Sequence, residues 1–134
     1  MENIAEVDFQ LIGKCFDPNE LSEYIGIDFT ESEVAESGTV FWVISLKESM
    51  PMVDVLFMCH KIVDMIEPKK CKLIDAIRKY GLEPMLLVRI NRNPDCFFNY
   101  EPRSSVIQNC FIDKKVMLFL CSIDANYYQE EYDI

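Results

Sequence analysis

The chain has 134 residues, 50% of them apolar and 27% charged, which fits one globular domain whose core is large enough to fold without a metal or a disulfide. Twenty-three acids against thirteen Lys and Arg residues give a net charge of −10, and this argues against a nucleic-acid surface, which needs clustered cations in excess. The opening residues lack the basic start and apolar run of a secretory signal, and the longest apolar run, 116–121, is far short of the roughly 20 residues of a membrane span, so a cytoplasmic protein without membrane contact is expected.

The charge is uneven. Residues 1–40 hold ten acids and one base, residues 41–123 nine acids and twelve bases, and residues 124–134 four acids and no base. An acidic first third and an acidic end therefore flank a mildly basic middle.

Along the chain, Val7, Phe9 and Leu11 alternate with Asp8 and Gln10, which predicts a half-buried strand over 6–13. Asp17 can cap a helix, Pro18 suits its first position, Glu20 can complete a capping box, and Gly26 fits a left-handed stop. Residues 28–38 read as an acidic loop. A strand over 39–46 has mostly apolar residues on both faces, so it is expected at the centre of the sheet. Pro51 is expected to open a helix through about residue 66, with Val53, Leu56, Phe57, His60 and Val63 along one stripe. Glu67-Pro68 interrupts it, a second helix runs over 68–80, and Gly81 ends that helix. A third strand follows over 82–90, a turn at 91–95, a short edge segment at 96–100, a short helix over 102–110 and a last strand over 115–123. The order β-α-β-α-α-β-α-β predicts an α+β fold: a four-stranded sheet with helices mainly on one face and a ferredoxin-like flavour. A single domain over 1–124 and an acidic, tyrosine-rich tail over 125–134 are expected.

The search for chemistry is mostly negative. The six cysteines form no Cys-x-x-Cys or tight zinc pair, and in a reducing compartment they read as small buried hydrophobes. His60, the only histidine, adjoins Cys59, but adjacent helical residues point about 100° apart and do not face each other. No phosphate-binding glycine loop, nucleophile elbow or zincin motif is present. Asp28, Glu31, Glu33 and Glu36 lack the spacing of an EF-hand, so they read as a solvated acidic loop. No metal ligands, no cofactor and no catalytic residues are expected, and no pair of carboxylates stands out for acid–base work. The bases after Pro68 are interspersed with Asp64, Glu67 and Asp75 and read as a solvated helix face.

Several short motifs occur in a shared order: Asp17-Pro18-Asn19-Glu20-Leu21, Ile25-Gly26-Ile27, Gly38 before Trp42, Ile66-Glu67-Pro68, and Tyr80-Gly81-Leu82. Over roughly residues 7–124 this pattern resembles a bacterial family catalogued as domain of unknown function 4279. Phe97-Phe98-Asn99-Tyr100 and Pro102-Arg103-Ser104-Ser105 follow that family only loosely, and the acidic tail departs from it. The resemblance implies a small immunity-protein-like domain that binds rather than catalyses. Together with the acidity, it leads to the expectation of a neutralising protein with a basic protein partner, a toxin or defence effector. The candidate contacts are Asp28, Glu31, Glu33 and Glu36 in the first third and Tyr127, Tyr128, Glu130, Glu131 and Tyr132 in the tail. The alternative is a regulatory or self-associating domain, a homodimer included, that uses an open sheet edge or the apolar helix over 53–65. A carboxylate-based enzyme is the third reading.

Overall fold

A computed structural model describes residues 3–50, 54–92 and 112–133. Its longest strands, β1 (Asn3–Lys14) and β3 (Thr39–Met50), pair antiparallel along their whole length, and β4 (Glu83–Arg92) pairs antiparallel with the other edge of β1. β2 (Glu31–Val34) adds antiparallel to β3, and β5 (Asn126–Asp133) adds parallel to β4. The result is a five-stranded mixed sheet in the order β2-β3-β1-β4-β5, with β1 in the middle.

The helices among the described residues are α1 (Pro18–Ile25), α2 (Val55–Ile66), α3 (Lys70–Tyr80) and α4 (Lys114–Ser122), with a 3-10 turn at Glu67–Lys69 between α2 and α3. Three of these starts, those of α1, α2 and α4, have a side-chain cap. Asp17 accepts from the Asn19 amide at 2.9 Å with Pro18 at the first position, Asp54 accepts from Phe57 N at 2.9 Å, and Asp113 accepts from Val116 N at 3.1 Å. Gly26 ends α1 with φ 85°, a left-handed conformation that side chains resist.

All four described helices bury side chains against the same face of the sheet. Val7, Phe9 and Leu11 of β1 are fully buried there, and Phe119 of α4 meets Phe9 edge-on at 6.3 Å between centroids. Trp42 of β3 is buried with them, its indole N–H donating to the Ser22 hydroxyl of α1 at 2.8 Å. This satisfies a polar group that would otherwise lie unpaired in the core.

The α+β class and the concentration of helices on one face match the expectation from the sequence. The element list differs in three places. Residues 31–34, read as loop, form the edge strand β2. Residues 115–123, read as the last strand, lie in α4 and its exit: an apolar run this short fits a buried helix as well as a strand, and the Asp113 cap decides for the helix. Residues 125–134, read as a tail outside the domain, contain β5, which pairs with β4 from Met85–Asn126 to Arg92–Asp133. Among the described residues the sheet therefore has five strands rather than four. The middle strand is β1, with the 39–46 strand in the interior position beside it, and β1 runs antiparallel to both neighbours. The expected helix start at Pro51 and the segments at 96–100 and 102–110 lie outside the described residues, where the described part of α2 begins at Val55.

Candidate functional site

Alternation along the strands gives the sheet two unlike faces. One is the apolar face under the helices. The other carries Glu6, Asp8 and Gln10 of β1, Phe41, Val43 and Ser45 of β3, and Leu87 and Arg89 of β4, while β2 and β5 contribute Glu31, Glu33, Tyr128, Glu130 and Tyr132. A hollow of about 400 Å³ opens on this second face, bordered by Glu6, Asp8, Glu31, Glu33, Phe41 and Arg89.

Asp8 forms its floor. It lies on the central strand between Ser45 and Leu87, and only 4% of it is exposed. Its Oδ1 is buried without a hydrogen-bond partner among the described residues. Burial pushes the carboxyl up to about 6. The Ser45 hydroxyl opposes that shift, the charges of Glu6 and Glu31 add to it, and Arg89 opposes it. Side-chain oxygens of Glu6, Asp8 and Glu31 all lie within 4.8 Å of one another. The Arg89 guanidinium holds the rim, with Nη1 2.9 Å from Glu6 Oε2 and Nε 3.1 Å from Glu130 Oε2, and the Glu130 bond holds it more firmly protonated. Ser45 Oγ donates to the other Glu6 oxygen, Oε1, at 3.3 Å. The Ser45 amide donates to Thr30 Oγ1 at 2.8 Å, which fixes the entry to β2.

The residues expected to bind a partner scatter around this face. Glu31 and Glu33 lie on it at the β2 edge. Tyr128, Glu130 and Tyr132 lie on it at the β5 edge, four strand spacings or roughly 19 Å away. Tyr127 and Glu131 alternate to the helix side, where Tyr127 packs against the core. Asp28 and Glu36 are exposed in the connections on either side of β2. The structure thus joins part of each group on one face and leaves Asp28, Glu36, Tyr127 and Glu131 off it. Sequence reasoning missed Glu6, Asp8, Ser45 and Arg89. Their only signal was a lone aspartate between Val7 and Phe9 in the most apolar strand pattern of the first third.

The remaining chemistry is structural. Among the described cysteines only Cys59 is buried, whereas Cys15, Cys71 and Cys121 are exposed, which corrects their reading as small core residues. Burial, reinforced by the charge of Asp113, pushes the Cys59 thiol up to about 12, so it carries almost no thiolate at neutral pH. His60 turns to Asp113, 2.8 Å away at the α4 cap, where the carboxyl is held low by the Val116 amide first and by His60 second. Several bases of α3 lie against aromatic rings: Lys72 and Lys79 lie 5.2 and 4.7 Å from the centre of the Tyr24 ring. No helix among the described residues is long and apolar enough to cross a membrane.

Fold and site together define an α+β domain with one helix-covered face and one face that bears a partly buried acidic hollow. Comparison with protein families, with curated proteins and with solved structures finds no match.

Proposed function

We propose that this chain is a non-catalytic, acidic protein-binding module whose open sheet face receives a basic partner, in the role of neutralising a toxin or defence effector. The observation that carries the reading is the unequal pair of faces. A five-stranded sheet keeps its helices on one side and presents acids with Phe41 and Tyr128 on the other. Acids around aromatic anchors suit a cationic surface, and the net charge of −10 favours fast encounter with one. The motif resemblance to domain of unknown function 4279 points the same way.

The test is a pull-down from the native host's lysate at low and high salt, with wild type, Glu31→Lys/Glu33→Lys and a helix-side control, Glu67→Lys. A single stoichiometric basic partner is expected with wild type and the control, and it is lost in the double variant and at high salt. Equal capture by all three proteins, or salt-independent capture, overturns the choice of face. No partner under any condition argues against the neutralising role.

A specific observation supports a second reading, self-association. Phe57 and Met65 of α2 and Met117 and Leu118 of α4 are 42–60% exposed, an unusual amount of apolar surface on neighbouring helices. Sedimentation velocity at tens of micromolar decides it, because a monomer there removes the homodimer.

A further inference from the structure

We infer that Glu6, Asp8 and Glu31 form a binding site for a hard divalent cation of calcium's size on the open face of the sheet. The proposal goes beyond the protein-binding reading and needs no partner. Three carboxylates from two non-adjacent strands converge here, Glu6 and Asp8 from β1 and Glu31 reaching across β3 from β2, with oxygens within 4.8 Å of one another. Two oxygens on one ion can be no farther apart than twice the bond length. At 2.3–2.6 Å per bond, calcium tolerates separations up to about 5 Å, so every separation allowed by the 4.8 Å limit is within its reach, whereas magnesium at 2.0–2.1 Å accepts only those below about 4 Å. The donor set is all oxygen, with no histidine or thiolate in it, which favours calcium, and after it manganese, over zinc or copper.

A second observation is independent of the clustering. Asp8 is 96% buried by its 4% exposure, it borders the hollow, and none of the described residues hydrogen-bonds its Oδ1. A buried carboxylate oxygen without a donor is an unfavourable arrangement, and a cation seated above it supplies the missing partner. The surroundings orient the other ligands as outer-shell groups do in metal sites. Arg89 holds Glu6 Oε2 at 2.9 Å, and Ser45 Oγ holds Oε1 at 3.3 Å, which fixes the plane of that carboxylate at the edge of the hollow. Glu31 is exposed, so the site has an open side through which waters complete the coordination. Three protein ligands with an open side place the affinity in the weak class of calcium modules, with a Kd on the order of 0.1–1 mM.

The test is isothermal titration of CaCl2, MnCl2 and MgCl2 into EDTA-stripped full-length protein, paired with thermal unfolding at 5–10 Kd of calcium. One calcium per chain is expected, bound more tightly than magnesium, with a rise in Tm on the order of 5 °C. Glu31→Gln lies on an exposed edge and leaves the fold intact. It is expected to weaken calcium at least tenfold and remove the Tm shift, and Asp8→Asn is expected to do the same. Glu33→Gln, on the same strand and face but outside the cluster, is expected to leave binding within twofold. Failure of all three cations to bind at 10 mM (about ten times the weakest expected Kd) overturns the site. Equal weakening by Glu31→Gln and Glu33→Gln also overturns it, because that is the signature of a diffuse acidic surface.

Discussion

Replacing Asp8 by asparagine is expected to stabilise the metal-free protein at neutral pH, with a gain that vanishes in acid. The carboxyl is pushed from 3.8 to about 6 in the folded protein, chiefly by burial. A folded-state value above the unfolded one means that the native protein binds the proton more tightly. The favourable contribution is therefore complete below about pH 4 and is lost as the pH rises through 6. A shift of about two units at 1.36 kcal/mol each gives about 3 kcal/mol between those limits. Asparagine keeps the shape of the protonated acid and never ionises, so it avoids this loss. Urea unfolding of both proteins in EDTA at pH 4 and pH 7.5 isolates the effect, since every other carboxyl is common to the pair. Asp8→Asn should match wild type at pH 4 and exceed it by about 3 kcal/mol at pH 7.5. A variant that is no more stable at pH 7.5, or a difference that does not change with pH, refutes the buried-carboxylate account.

Other consequences follow from named contacts. Ser22→Ala leaves the Trp42 indole N–H buried without its 2.8 Å acceptor and should cost about 1–3 kcal/mol in urea unfolding followed by tryptophan fluorescence. Arg89→Ala releases Glu6 and Glu130 together, but the guanidinium is 39% exposed, so a loss of only about 1 kcal/mol is expected, shrinking in 1 M NaCl. Iodoacetamide labelling at pH 8 with peptide mapping should leave Cys59 unmodified until denaturant is added, while Cys15, Cys71 and Cys121 react in the native protein.

What the sequence revealed about the fold depends on whether the deciding contact is local. Asp17, Pro18 and Gly26 bound α1, and Gly81 ends α3, because capping and left-handed stops are settled within a few residues. Residues 115–123 were misread although a local signal, Asp113 three residues before Val116, was present: the apolar run hid the cap. β2 and β5 are a different case. Glu31–Val34 is exposed throughout, and Tyr127 to Tyr132 reads Tyr-Tyr-Gln-Glu-Glu-Tyr, with no alternation of apolar and polar residues. Both are strands because an edge of the sheet offers them a backbone partner, β3 for β2 and, 41 positions back in the chain, β4 for β5. Asp8 has the same origin. Period-two alternation puts it on the polar side of β1, but its burial comes from the strands on both sides and from Glu31 reaching over from β2. Glu31 was legible as an acid of interest. Its convergence with Asp8 was not, because no spacing in the sequence encodes it.

The two proposals for the open face constrain each other. A cationic side chain from a partner and a calcium ion would both settle on Glu31 and Asp8, so they should compete rather than cooperate. For exclusive binding, calcium at ten times its Kd weakens the partner's apparent affinity about elevenfold, and by reciprocity the partner weakens calcium by a matching factor. Titrating a captured partner into the protein with and without calcium, at an ionic strength balanced with NaCl, separates this effect from screening. An elevenfold loss places both ligands on the same carboxylates. An unchanged affinity, with calcium binding intact, moves the partner to the β5 side of the face, around Tyr128, Glu130 and Tyr132, four strand spacings from β2. In that case the buried charge of Asp8 serves the cation alone, which explains why an acid sits where asparagine would give the more stable fold.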